Sequence, residues 1–389
     1  MKKAAFVLAL CLGAAAPALA QNAPTQQADD ATLAAKFREM RAAAERGDAK
    51  AQFNLGVMYY YGQGVAQDDA QAVAWLRKAA DQGDTEAQFY LAEMYDKGRG
   101  VAQDYAQVAA WLRKAADQGD AKAQFNLGEM YDKGRGVAQD DAQAVAWYSK
   151  AADQGDAKAQ FNLGVIYYEG RGVAQDYAQA AAWFRKAADQ GNAYAQFNLG
   201  LSYYNGRGAL QDYTQARAWF RKAADQGLAQ AQSNLGAMYY NGQGVSQDDT
   251  QAAAWFRKAA DQGDAQAQFN LGLLYYNGQG VSQDYAQAAA WFRKAADQGD
   301  AQAQFNLGQL YRKGQSVPQD DAQAVAWYHK AAGQGDAQAQ FNLGVSYYNG
   351  RGVSQDYTQA RAWFRKAADQ GDVEAQEALR KMEASGQVK

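Results

Sequence analysis

Few side chains in this sequence are of the kinds that do chemistry, and their spacing gives most of them structural work. The one histidine, His329, stands two residues after Trp327, where comparable segments carry Arg77, Arg113 and Arg185. General acid–base catalysis needs a titrating group held against a partner in a pocket, so a residue that alternates with arginines reads as a solvated surface position. The one cysteine, Cys11, falls in an apolar N-terminal run, and without that run neither a disulfide framework nor a thiolate metal site is available. Recurrent Gly-x-Gly segments such as Gly62 to Gly64 suggest a phosphate cradle, but no strand pattern precedes them and no third glycine or Lys-Ser/Thr follows, as a phosphate loop requires. Recurrent Asp-Gln-Gly-Asp stretches lack the clustered oxygen ligands of a calcium loop, and each aspartate stands where a helix needs a cap. The Arg-Lys pairs, such as Arg77-Lys78, read as a solvated helix edge. These residues point to no enzyme, no cofactor and no metal site.

The N-terminus points to export. Lys2 and Lys3 precede an apolar run from Ala4 to Ala16, and Ala18-Leu19-Ala20 offers small residues at the two positions a signal peptidase reads. Residues 1–20 are therefore expected to be a cleaved signal of bacterial appearance, which would place the protein in the periplasm or outside the cell. Leu10 occupies the place where a lipoprotein signal needs a small residue before its cysteine. No later segment approaches the roughly 20 apolar residues of a spanning helix. The chain has 39 Lys and Arg against 42 Asp and Glu; without Lys2 and Lys3 this is 37 against 42, a net charge of −5. Mild acidity speaks against nucleic acid, which selects for a basic stripe.

The elements that position the remaining residues follow from a repeat. All nine tryptophans, from Trp75 to Trp363, are separated by 36 residues, and such a period is the signature of a solenoid. Residues 48–371 divide into nine such units without insertion or deletion. In the first, Asp48 is placed to cap a helix on which Ala51, Leu55, Met58 and Tyr59 share one face. Gly56 sits near that face, where its missing side chain would admit a neighbouring helix, and Gly62 and Gly64 end the helix. A second helix starts at Asp68, with Gln71 three positions on as in a capping box, a pairing that recurs at Asp104/Gln107 and Asp212/Gln215. Its buried stripe is Ala72, Trp75, Leu76, Ala79 and Ala80. Gly83 supplies a left-handed turn, and Asp84 caps the next unit. One hairpin cannot bury a tryptophan, a leucine and a tyrosine alone, so neighbours must stack. Residues 21–30 read as a flexible linker, 31–47 as an N-terminal capping helix, and 372–389 as a C-terminal capping helix and tail. In the latter, Arg380 and Glu383 replace the usual glycine and tyrosine.

Leu55-Gly56, Tyr59, Gly62-x-Gly64-Val65, Asp68, Ala72, Trp75 and Lys78-Ala79-Ala80 together resemble the Sel-one-like repeat, SLR, a relative of the tetratricopeptide repeat. The resemblance covers nearly all of the chain after residue 47. It implies an all-α, right-handed α/α superhelical solenoid and a role as an adaptor, in envelope complexes or, for secreted members, in contact with host cells. Cysteine-rich members associated with β-lactam binding depart from this chain, which keeps no cysteine after its signal. Ser316, followed by Pro318, and Ala209 depart from the usual connector residues in units eight and five, so those connectors are expected to bend differently.

What varies among repeats marks the candidate binding surface. On the first helix, Phe53, Val57 and Tyr60 share a stripe displaced by about 140–200° from the Leu55 face, expected to line an inner curve. The Phe53 position is Phe in eight units and Ser233 in the sixth; the phenylalanines are expected to pack between adjacent first helices. The Tyr60 position is Tyr60, Tyr168, Tyr204, Tyr240, Tyr276 and Tyr348, with Asp96, Asp132 and Arg312 in the other units. The Val57 position holds Glu93 and Glu129 in units two and three. An acidic-polar section is thus followed by an aromatic one. Tyrosine combines contact area with a hydroxyl at low entropic cost, so these eleven residues are the candidate partner-binding set. Residues 231–266 and 267–302 differ at only five of 36 positions, and such repetition favours avidity toward an extended or multivalent ligand. A protein partner, in the envelope or on a host cell, is the leading expectation. A cell-wall glycan or peptidoglycan held on aromatic platforms is the alternative, and a β-lactam-interacting enzyme is a third.

Overall fold

The computed structural model describes residues 26–315 and 317–386. The signal read over residues 1–20 with Cys11, the first half of the linker, the change at Ser316 and the last three residues of the tail lie outside the described residues. Twenty α-helices make up the described chain, with no strand among the described residues. They form two compact units, one ending at Leu210 and one beginning at Gln211.

The first unit contains α1 (Gln26–Glu45), α2 (Ala49–Tyr61), α3 (Asp69–Asp81), α4 (Thr85–Lys97), α5 (Tyr105–Asp117), α6 (Ala121–Lys133), α7 (Asp141–Asp153), α8 (Ala157–Glu169), α9 (Tyr177–Asp189) and α10 (Ala193–Asn205). The second contains α11 (Tyr213–Asp225), α12 (Ala229–Asn241), α13 (Asp249–Asp261), α14 (Ala265–Asn277), α15 (Tyr285–Asp297), α16 (Ala301–Lys313), α17 (Asp321–Gly333), α18 (Ala337–Asn349), α19 (Tyr357–Asp369) and α20 (Val373–Ala384). From α2 to α19 the even-numbered helices open each hairpin and the odd-numbered ones close it. Helix α1 begins at Gln26, so residues 26–30, read as linker, are helical.

Local chemistry sets the helix ends. Asp48 accepts a 2.7 Å hydrogen bond from the Ala51 amide, satisfying one of the four amides that open any helix. Gly62 takes the left-handed conformation (φ 70°) and its N–H donates to the Met58 carbonyl. Only one arm of the expected capping box forms: Asp68 accepts from the Gln71 amide, while its own N–H donates to the Tyr59 carbonyl instead of to Gln71. That bond ties the connector back to the opening helix. In the sixth repeat the cap is lost, because Leu228 stands where the others have Asp or Asn and makes no side-chain cap.

Two close approaches hold the hairpins together. A Cβ on Gly56 would lie 2.7 Å from Leu76 Cγ, and on Gly164 2.5 Å from the Phe184 ring; the glycine lets the large residue of the closing helix lie flat on the opening one. The second glycine of each connector does more than end a helix. A Cβ on Gly100 would lie 2.2 Å from the Asp69 carbonyl oxygen, and on Gly208 1.9 Å from that of Tyr177, so the connector rests on the first turn of the preceding hairpin's closing helix.

A buried polar ladder fixes the register of the stack. Gln52 donates to the Ala44 carbonyl at 3.0 Å, and Gln82 donates to Gln52 Oε1 at 2.7 Å. The same pair of bonds recurs at Gln88/Gln118, Gln124/Gln154 and Gln160/Gln190 in the first unit and at Gln268/Gln298 and Gln304/Gln334 in the second. A buried amide left unpaired costs about 1–3 kcal/mol, so a hairpin that slips against its neighbour loses these bonds at once.

Candidate partner-binding face

The stripe on the opening helices separates into a buried row and a half-buried one. Phe53, Phe161, Phe197 and Phe269 are buried, and Phe89, Phe125, Phe305 and Phe341 are half-buried. Their rings lean chiefly on the closing helix of their own hairpin, with centroids 5.7 Å apart for Phe125–Tyr148 and 5.9 Å for Phe269–Phe292. Contacts between adjacent opening helices, the arrangement expected from sequence, occur for Phe53 with Tyr90 at 5.6 Å and Phe161 with Tyr194 at 6.2 Å. The phenylalanines are core.

The tyrosines divide. Tyr60 is only 6% exposed: it lies under the Arg99 guanidinium, 3.9 Å from its ring centroid, and against Tyr61 and Tyr90. Burial raises its hydroxyl pKa. Tyr60 therefore closes the groove between α2 and α4. Tyr168, Tyr204, Tyr240, Tyr276 and Tyr348 are half-buried. Three of them pack edge-on against the first residue of their hairpin's closing helix: Tyr168–Tyr177 at 5.0 Å, Tyr276–Tyr285 at 5.2 Å and Tyr348–Tyr357 at 5.3 Å. Arg207 donates to the Tyr168 hydroxyl at 3.1 Å and Lys313 to that of Tyr276 at 3.2 Å. The rings of Tyr168, Tyr276 and Tyr348 are thus held by neighbours while staying partly exposed. Arg312 is half-buried in the eighth repeat.

The section read as acidic is charge-compensated. Glu93 pairs with Lys97, and Glu129 with Lys133 at 2.8 Å, each one turn along its own helix. Asp96 pairs with Arg135 at 2.9 Å and Asp132 with Arg171 at 2.5 Å, each arginine belonging to the next connector. The arginine partners were not recognised in the sequence because they lie 39 residues away, one period plus three. Such half-exposed pairs contribute about 0–1 kcal/mol each.

Between α4 and α6 the Glu93–Lys97, Glu129–Lys133 and Asp96–Arg135 pairs rim a cavity of about 290 Å³. Its apolar wall is Phe89, Ala92 and Met130, with Val108 and Leu112 of α5 beneath. Three residues smaller than their counterparts keep it open. Leu112 stands where repeats three to nine have Phe or Tyr, Asp96 where the first has Tyr60, and Asn126 where the second has Tyr90, the ring that helps fill the preceding groove.

The opposite, closing-helix face carries the Arg-Lys pairs, and they are more than a solvated edge. In all nine repeats the lysine ammonium stands 3.7–4.0 Å over the tryptophan three residues earlier, an arrangement worth about 0.5–1 kcal/mol at exposed sites. Arg77, Arg185, Arg257 and Arg293 reach the Tyr59-type hydroxyl of the following repeat. His329 takes the arginine's place, with Nε2 3.2 Å from the Tyr347 hydroxyl and its ring edge-on to Trp363. Partial burial of the ring lowers its pKa.

Comparison with known proteins agrees with this architecture. The family model for the Sel1 repeat matches nine consecutive segments, residues 49–84, 85–120, 121–156, 157–192, 193–228, 229–264, 265–300, 301–336 and 337–372. The chain is 39% identical to a protective antigen present in uropathogenic Escherichia coli strains that displays an SLR fold, over 90% of this chain and 83% of that one, with a TM-score of 0.74. It is 35% identical to a Sel1 repeat protein from Oxalobacter formigenes, over 84% of this chain and 93% of that one, with a TM-score of 0.64. No protein with a curated description matches it.

Proposed function

The chain belongs to the Sel1 repeat family, whose members are generally protein-interaction scaffolds, and we propose that it is an exported, non-catalytic scaffold that binds a partner protein along its opening-helix face. The observation that carries this reading is the row of half-buried tyrosines, Tyr168, Tyr204, Tyr240, Tyr276 and Tyr348, recurring at the repeat period. The rings of Tyr168, Tyr276 and Tyr348 are already held by neighbouring side chains, so binding costs little further side-chain entropy there. Linked weak contacts along such a row multiply through effective concentration. No described helix is long and apolar enough to cross a membrane. An envelope or host-cell setting is supported by the N-terminal Lys2-Lys3 and apolar run and by the similarity to a protective antigen of uropathogenic Escherichia coli.

The test is crosslinked capture from intact bacterial cells and from host-cell membranes, comparing residues 21–389 with a variant in which Tyr168, Tyr204, Tyr240 and Tyr276 are changed to Ala. A partner captured by the first and lost from a still-helical variant is the expected result. Undiminished capture would move the binding surface to the closing helices and connectors, and retention on purified cell wall with no protein captured would favour a glycan ligand.

A further inference from the structure

We infer that the cavity between α4 and α6 is an anchor site for one large apolar side chain of an extended, net-neutral segment of the partner protein. The inference rests on the scaffold reading above and adds a subsite that the tyrosine row does not contain.

Size is the first ground. About 290 Å³ is at the lower edge of the roughly 300–1,000 Å³ of small-ligand sites, room for a leucine, methionine or phenylalanine side chain with the backbone that carries it. The wall is apolar, from Phe89, Ala92, Val108, Leu112 and Met130.

Rim charge selects the class of occupant. Three carboxylates, Glu93, Asp96 and Glu129, face three cations, Lys97, Lys133 and Arg135, so the rim is neutral and a net-charged headgroup gains nothing from it. It is nonetheless unsaturated. Lys97 and the Tyr60 hydroxyl both engage Glu93 Oε1, and Lys133 engages Glu129 Oε1, which leaves the second oxygen of each carboxylate and the remaining ammonium hydrogens for a ligand. Acceptors and donors on both sides of an apolar slot complement the C=O and N–H groups that flank a side chain in an extended peptide.

The other repeats show how to fill the site without breaking the fold. Repeats three to nine combine a glycine at the Ala92 position with Phe or Tyr at the Leu112 position, and in repeats three, four and six to nine the ring lies against the glycine, where an added Cβ would stand 2.5–2.8 Å from it. The double variant Ala92→Gly/Leu112→Phe installs that pair in repeat two and places a ring on the cavity floor.

The probe is a phage-displayed library of random twelve-residue peptides selected on residues 21–389, with selected peptides then measured on the protein, on Ala92→Gly/Leu112→Phe and on the four-tyrosine variant. The expected result is a set of net-neutral peptides sharing one large apolar residue, bound about tenfold or more weakly by the cavity-filled variant, as for a buried anchor, whose thermal midpoint is unchanged or higher. Peptides without an apolar consensus, with a consistent net charge, or with equal affinity for the filled variant would overturn it. So would octyl glucoside binding that the double variant abolishes while no peptide is selected, since the cavity would then be a small-amphiphile site. If the captured partner is lost from the four-tyrosine variant but kept by the filled variant, the scaffold reading stands and the anchor site falls; if both variants keep it, both fall.

Discussion

At the scale of residues, the molecule depends on aromatic side chains whose polar ends are withheld from water. Tyr90 and Tyr328 are both pushed up to about 12 by burial, and burial raises the Tyr148 hydroxyl as well. In the unfolded chain these hydroxyls ionise near 10, while the folded chain keeps them protonated. Their contribution to stability is therefore whole below pH 10 and is lost as pH rises toward about 12. Circular dichroism melts between pH 9 and 12 should show this loss, and the double variant Tyr148→Phe/Tyr328→Phe should begin to lose stability at a higher pH than the parent; identical profiles would show that these two hydroxyls do not carry the alkaline transition. The identity of such residues was legible only in part. Phe53 and Tyr60 fall on one stripe by helical phase, yet Tyr60 is buried and Tyr168 is half-buried. The difference arises from Arg99, Tyr61 and Tyr90 packing over Tyr60, which depends on a neighbouring hairpin and not on phase.

At the scale of elements, helix ends and connectors were the most legible features, because a cap or a left-handed turn is a local requirement. The sixth repeat gives a test: Leu228→Asp restores the cap carried by Asp264 and its counterparts and should raise stability by about 1 kcal/mol in denaturant unfolding. No gain would mean that the half-buried Leu228 packs as usefully as a cap bonds. The second connector glycine was legible as a turn residue but not as a packing surface, because its contact lies one hairpin back. Gly100→Ala should therefore cost at least about 2 kcal/mol, combining a positive φ with a clash against the Asp69 carbonyl; the comparable change at Gly119, whose Cβ would meet nothing within 4 Å, should cost less. Equal costs would leave the backbone contact without energetic weight. The Asp96–Arg135 and Asp132–Arg171 pairs escaped the sequence reading because their partners lie one repeat apart, and the cavity between α4 and α6 showed only as the departures Ala92, Asp96 and Leu112 from the repeat pattern.

At the scale of the whole molecule, an array of repeats behaves as a sum of repeat and nearest-neighbour terms. Residues 231–266 and 267–302 differ at five positions, so deleting 231–266 joins nearly equivalent surfaces. The shortened chain should fold with unchanged helicity per residue and a lower calorimetric midpoint; failure to fold would show that the sixth repeat is not interchangeable with the seventh. The 36-residue period was plain because nine tryptophans mark it, whereas the face used for binding depends on surface exposure that no period encodes. That face is the central claim. The most direct test places a photo-crosslinking amino acid, one position at a time, at Tyr204 and Tyr276 on the opening helices and at the exposed Arg185 and Arg257 on the closing helices, followed by irradiation with cells that supply the partner. Crosslinks to one protein from Tyr204 and Tyr276, and none from Arg185 and Arg257, are expected; crosslinks from the arginine positions alone would contradict the assignment of the opening-helix face.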